Sequence, residues 1–277
     1  MRVSDKDILI VGLGLIGGSM AKALRQYTSG VIAGLDIDRS VLEAALSEGV
    51  IDRIHADGGK LIYDIVILCI YPSHIPGFLK AYAESFNNGT IITDVTGVKS
   101  WLLEQISTLV PVNVDYISGH PMAGSEKSGY ANSSADMFRN ANYLLTPTPG
   151  SLPENIETLE KMALAVGCRK VTVTDADTHD TMVAFVSEMP HIIAAATGGS
   201  PLMNRAEDFT GNSLKDITRV ALFNEVLWSE LFIENREFII PQIDEFTTRM
   251  TAIRQAIIDR DKIRLMGILK DCKRLEK

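Results

Sequence analysis

Ile8-Leu9-Ile10-Val11-Gly12-Leu13-Gly14-Leu15-Ile16-Gly17-Gly18-Ser19 is the stretch on which the reading of this chain turns. Four β-rich apolar residues run into a Gly-x-Gly-x-x-Gly loop, and the loop runs into Met20-Ala21-Lys22-Ala23-Leu24-Arg25, a strong helix former. Glycines lack Cβ atoms and so let a pyrophosphate approach the backbone, while the first turn of the helix offers unpaired N–H donors and the positive end of a dipole. Gly12, Gly14, Leu15, Ile16 and Gly17 are the candidate phosphate-binding positions. A glycine turn alone is a weak sign, but a second observation joins it. Asp36 stands twenty-four residues after Gly12, at the end of the next β-rich run, where an acid accepts hydrogen bonds from the adenosine ribose. A carboxylate there repels the 2′-phosphate of NADP, so NAD is the expected cofactor; Arg39, three residues on, is the group that could bind that phosphate instead.

Outward from the loop, short β-rich runs alternate with helical stretches: Val31 to Leu35, Ile65 to Ile70, Thr90 to Thr93, Val114 to Ser118, Tyr143 to Thr146 and Lys170 to Thr174. That alternation predicts an α/β, Rossmann-type doubly wound sheet with helices on both faces. From Asp175 the β-rich runs stop, and helical spacing takes over in segments near 175–198, 216–240 and 242–275. Asp175 reads as the N-cap of the first and Gly198-Gly199-Ser200-Pro201 as its end. Two domains are expected, a dinucleotide-binding unit over 1–174 and an all-helical unit over 175–277, with no room after the last helix for a regulatory domain. A length of 277 residues agrees, since single cores stop growing near ~250.

Twenty-seven Lys and Arg against thirty-five Asp and Glu leave a charge of −8, and no basic run tracks a phosphate backbone, so nucleic acid is not an expected partner. The longest apolar run, Ile65 to Tyr71, is far too short to span a bilayer, and the first residues lack a signal-peptide core, which predicts a cytoplasmic protein without a membrane partner. Cys69, Cys168 and Cys272 are odd in number and widely spaced, which fits reduced thiols and neither a disulfide frame nor a metal site.

Ser118-Gly119-His120-Pro121-Met122-Ala123-Gly124-Ser125-Glu126-Lys127-Ser128-Gly129 suits a loop at the carboxyl end of a parallel strand, where open sheets place their ligands. A histidine there could take a hydroxyl proton near neutral pH; a loop histidine bonded to backbone would look the same. This loop, the glycine loop, Asp94-Val95-Thr96-Gly97-Val98-Lys99, His179-Asp180, Pro190-His191, Lys215-Asp216-Ile217-Thr218-Arg219, Trp228 and Glu234-Asn235 together resemble the prephenate dehydrogenases in order and spacing over nearly the whole chain. The His-Pro-x-Ala-Gly segment is the most specific part.

The resemblance implies oxidative decarboxylation of prephenate by NAD to 4-hydroxyphenylpyruvate and CO2 in tyrosine biosynthesis. It makes His120 the base on the ring hydroxyl, Arg219 the anchor of a substrate carboxylate, and His191, Ser125, Glu126 and His179 further pocket residues. It also implies a homodimer through the helical domain. Two departures stand out. Many relatives read Asp-x-Gly-Ser-x-Lys, so the serine that would assist His120 is replaced by Gly97, which leaves open whether Thr96 substitutes. Glu188 stands where some relatives have a histidine; about 60° from His191 on a helix, it could face the substrate, repel prephenate's side-chain carboxylate and attract the ammonium of arogenate, or else orient His191, bind a basic neighbour or point to solvent. Arogenate dehydrogenase is therefore the alternative within the family, and an NAD-binding regulatory protein without catalysis the alternative outside it. Hydroxyisobutyrate-type dehydrogenases share the two-domain plan, but segment 175–198 lacks the lysine they would need.

Overall fold

The computed structural model describes residues 5–125 and 127–271. Eight strands form one sheet: β1 (Ile8–Val11), β2 (Ile32–Leu35), β3 (Arg53–Ile54), β4 (Ile65–Leu68), β5 (Ile91–Asp94), β6 (Asp115–Pro121), β7 (Asn142–Pro147) and β8 (Lys170–Val173). Their order is β3-β2-β1-β4-β5-β6-β7-β8. β1 to β6 run parallel, β7 is antiparallel to β6, and β8 is parallel to β7. The order reverses between β1 and β4, which opens a crevice beyond their carboxyl ends.

Both faces of the central strands are buried, which is why they read as unbroken apolar runs. Ile8, Ile10, Ile65 and Ile67 point into one core with Met20 and Leu24 of α1 (Leu15–Leu24), Leu42 of α2 (Arg39–Ser47) and Leu159 and Met162 of α5 (Pro153–Ala165). Leu9, Val11, Val66 and Leu68 point into the other, with Leu79 of α3 (Ile75–Tyr82) and Leu102 and Ile106 of α4 (Ser100–Ile106).

The helical part comprises α6 (Ala176–Val183), α7 (Met189–Gly198), α8 (Asn212–Thr218), α9 (Glu225–Glu234), α10 (Arg236–Ile258) and α11 (Lys262–Asp271). Asp175 caps α6, its carboxylate accepting from the Thr178 N–H, and α7 ends at Gly198. A π-helical turn, Ala184–Glu188, joins α6 to α7.

The structure corrects three expectations. β3 has two residues, too few to leave a periodic signal. The segment around His120 is strand through Pro121, because β7 pairs His120 with Leu144 and Pro121 with Tyr143. The expected helices 216–240 and 242–275 divide elsewhere. α10 continues through Pro241, and the break falls at Asn235, whose amide turns inward to Glu188 and the Asp180 carbonyl. α10 then closes at Arg260, with φ +55°.

Candidate active site

At the crevice, α1 begins directly after Gly14, so the first-turn N–H groups of Leu15 and Ile16 face outward from its N-terminus. Gly12 has φ +85°, and a Cβ there would lie 2.5 Å from the Cys69 carbonyl oxygen. A Cβ on Gly17 would lie 1.8 Å from the Gly12 oxygen, so this glycine packs the loop against its own helix. Gly14 is different: its Cβ would meet nothing within 4 Å. Two of the glycines thus build the turn and one leaves an open approach to the backbone.

Asp36 accepts from the Leu13 N–H at 2.6 Å and from the Asp38 N–H at 2.8 Å, one bond to each carboxylate oxygen, which fixes the group and leaves lone pairs on both for hydroxyls. Beside it lies a cavity of about 390 Å³ walled by Asp36, Ile37, Arg39, Leu42, Ile54 and His55 among others. His55 is buried, its Nδ1 bonds the Tyr63 hydroxyl, and its ring lies beside Gly59. The open glycine, the fixed acid and the adjoining cavity suit an adenosine dinucleotide. Arg39 points along its own helix, 2.9 Å from Glu43.

His120 is the penultimate residue of β6, at the seam between sheet and helices. Its Nδ1 lies 3.0 Å from His179 Nε2, and His179 Nδ1 lies 2.7 Å from Asp180 Oδ1. Asp180 accepts further bonds from the Lys99 and Ser100 N–H groups at 2.9 and 2.7 Å, capping α4 from the neighbouring helix. Under these groups Lys99, fully buried, donates to Asp94 at 2.7 Å and to the carbonyls of Thr96 and of Gly119, the residue before His120. Asp94 also accepts from Tyr116 and Ser118. Burial would raise the Asp94 carboxyl, but the Lys99 ammonium keeps it below its usual range. Burial, the neighbouring His179 and the Lys99 charge hold His120 well below its ordinary value, so it is neutral at physiological pH and able to accept a proton.

On the helical side His191 is half-buried and stacks on Trp228, ring centroids 3.6 Å apart. Its Nδ1–H donates to the Ser187 carbonyl at 2.8 Å; burial, with the nearby Arg219 charge, lowers its basicity. Arg219 itself is exposed, on a short 3-10 turn (Arg219–Ala221) packed against α7. Ser125 is exposed and its hydroxyl accepts from the Lys127 N–H, as in a turn, while Glu126 lies outside the described residues.

Two expected pocket residues sit elsewhere. Thr96 is buried and donates its hydroxyl to Asp94 at 2.6 Å, so it belongs to the support under the site and does not stand in for the missing serine. A Cβ on Gly97 would come within 3.9 Å of His120 Cε1 and 3.2 Å of Leu231, so the serine's place is closed by a leucine. Glu188 is 1% exposed and accepts from Asn235 at 2.8 Å, facing the interior of the helical unit and not a ligand. Burial pushes its carboxyl up to about 8. Glu188 closes the π turn, and the amide of Asn235 draws its carboxylate inward while His191 stacks on Trp228.

Asp180, Lys99 and His55 were not singled out from sequence. Adjacency to His179 was the signal for Asp180, and the Asp94–Lys99 spacing that for Lys99; a lone histidine just after a two-residue strand carries none. Among the described residues no helix is long and apolar enough to cross a membrane, and Cys69 and Cys168 are free thiols, Cys272 lying outside them.

Two family models cover the chain: the prephenate dehydrogenase nucleotide-binding domain matches residues 20–172 and the prephenate dehydrogenase dimerization domain residues 175–271. The sequence is 31% identical to a prephenate dehydrogenase of Bacillus subtilis over 99% of this chain and 76% of that protein. The fold is similar to that of prephenate dehydrogenase from Aquifex aeolicus in complex with hydroxyphenyl propionate and NAD+, with TM-score 0.85 and 26% identity over 99% of this chain and 96% of the other. It is also similar to Synechocystis arogenate dehydrogenase, with TM-score 0.81 and 26% identity over 96% of each chain. Motif, fold and site geometry agree with these matches, and the chain belongs to the prephenate dehydrogenase family.

Proposed function

We propose that this chain is an NAD-dependent prephenate dehydrogenase, converting prephenate and NAD+ to 4-hydroxyphenylpyruvate, CO2 and NADH. The observation that carries the reading is His120, neutral and held through Nδ1 at the seam, at the carboxyl end of the sheet beside the cofactor crevice. NAD supplies the hydride acceptor when bound between Gly14 and Asp36. His120 takes the proton of the ring hydroxyl through Nε2 as hydride leaves the same carbon, and loss of the ring carboxylate as CO2 completes the aromatic ring, which drives the step. Arg219 is the cation that anchors a substrate carboxylate in a protein of charge −8. His191, rigid against Trp228, and Ser125 and Glu126 complete the substrate side.

Prephenate is preferred over arogenate in this reading because Glu188, the residue whose charge would favour an ammonium, is turned to Asn235. The dinucleotide unit spans 1–174 and the helical unit 175–277. The helical unit also joins two copies, since its own core of Ala184, Met189 and Ile239 is small while Ile233, Ile240, Met250, Ile257 and Ile263 are exposed.

Mixing protein, NAD and prephenate while following absorbance near ~340 nm tests the activity. His120→Asn is expected to lower kcat by about 10² to 10⁴ with little change in KM. Arg219→Gln is expected instead to raise KM, by an interaction of about 1.5–3 kcal/mol. No NADH from the unmodified protein, or an unimpaired Asn variant, would contradict the reading.

A further inference from the structure

Burial lowers the basicity of His179, and with that imidazole neutral the hydrogen-bond chain behind His120 has one self-consistent assignment of protons. Asp180 receives three N–H groups, from Lys99, Ser100 and His179, so it acts as acceptor only. His179 must then carry its proton on Nδ1, which leaves its Nε2 with a lone pair. That lone pair, 3.0 Å from His120 Nδ1, requires a proton on His120 Nδ1, and so leaves His120 Nε2 unprotonated. We propose that His179 and Asp180 are positioning residues that set the tautomer of His120.

His179 and Asp180 are too buried to meet a ligand, at 1% exposure each, so they act through His120 alone. Their own placement is rigid: Asp180 is bolted to the N-terminus of α4, and His179 follows from the same helical turn. When His120 accepts the substrate proton on Nε2, its Nδ1–H bond to His179 stays in place, and the new positive charge faces a lone pair backed by a carboxylate. No further proton transfer is needed. The charged groups around the pair are Asp180 from α6, Lys99 from the start of α4 and Asp94 from β5. Lys99 and Asp94 offset one another, so Asp180 is the anion that remains to stabilise the imidazolium. The inference rests on His120 being the base.

Asp180→Asn removes the anion behind His179 while its amide oxygen keeps the place of Oδ1, which accepts from both His179 and the Lys99 N–H; its NH2 then faces the Ser100 N–H. The expected result is a fall in kcat of about tenfold or more with KM within a few-fold, because the imidazolium of His120 loses its charged support. His179→Gln keeps an acceptor for His120 Nδ1–H but loses the link to Asp180; about a tenfold fall in kcat is expected, with the acid limb moved to lower pH because the imidazolium is less stabilised. Should Asp180→Asn not fold, because it also caps α4, two measurements remain. One is His179→Gln; the other is ¹⁵N imidazole NMR of the unmodified protein, whose five histidines make assignment tractable. That spectrum should show His120 protonated on Nδ1 in the resting protein. Nε2-protonated His120, or unchanged kcat in both variants, overturns the proposal. An active His120→Asn variant would instead overturn the base assignment itself, so the two failures are distinct.

Discussion

Glu188 and Asn235 form a pair in which one hydrogen bond is made and two acceptors, Glu188 Oε1 and Asn235 Oδ1, are left buried without partners among the described residues. A single proton on Glu188 supplies the missing donor, and burial raises its carboxyl to about 8, so the acid form is the one the fold accommodates. Because this folded value lies above the ordinary one near 4.5, the stabilisation is complete below about pH 4.5 and is lost as pH rises through about 8. Glu188→Gln offers a permanent donor. Its melting temperature should exceed that of the unmodified protein by a margin that grows from pH 5 to 8, reaching a gain on the order of 3 kcal/mol. Parallel melting curves across that range would show that Glu188 ionises freely. In the proposed function Asp36 receives the ribose hydroxyls of the cofactor. Asp36→Ser should erode a strong preference for NAD over NADP by removing both the ribose acceptor and the repulsion of a 2′-phosphate. Equal kcat/KM for the two coenzymes before mutation would refute its role.

Two elements carry the chemistry, and both are shaped by where a side chain is left out or an extra residue let in. In the turn before α1, Gly14 and Gly17 look equivalent in sequence, but only one faces space. Gly14→Ala, at φ −69°, should leave the melting temperature almost unchanged and weaken NAD binding, read by fluorescence titration. Gly17→Ala places a Cβ 1.8 Å from the Gly12 oxygen and should cost about 2 kcal/mol or more of stability through backbone displacement. Reversed effects would mean that the pyrophosphate does not pass over Gly14. The run from Ala176 to Gly198 carries His179, Asp180, Glu188 and His191 on one continuous helix. Its π turn at 184–188 separates His179, which faces β6, from Glu188 and His191, which face α10 and α9.

At the scale of the molecule, the two units differ in how they are held together. The sheet unit has two extensive apolar cores, one on each face. The helical unit buries little of its own apolar surface and leans on the sheet unit through Asp180 on α4, Asn224 on Tyr71 and Glu230 on the Ser73 N–H. Exposed apolar residues along α9, α10 and α11 would be covered by a second copy. Light scattering at micromolar concentration should give the mass of two chains, and the unfolding midpoint should rise with protein concentration. A monomer with a concentration-independent midpoint would require another cover for that surface.

Residue type and short-range spacing determined the parts of this protein that rest on local physics. The glycine loop, Asp36 at the end of β2, the apolar central strands and the Asp175 cap all follow from Cβ sterics, backbone donors and apolar burial within a few residues, and all were legible. His120 was legible as a candidate base, but its state was not, because its tautomer depends on His179, fifty-nine residues away, and on Asp180 bonding α4. The direction of Glu188 was open for the same reason: helical spacing allows it to lie near His191, and only the distant amide of Asn235 decides that it turns inward. Thr96 read as a neighbour of the base until Asp94 and Lys99 claimed its hydroxyl. In each case a buried polar group takes whichever partner the packing brings within about 3 Å, and that choice is made by long-range contacts that no spacing along the chain records.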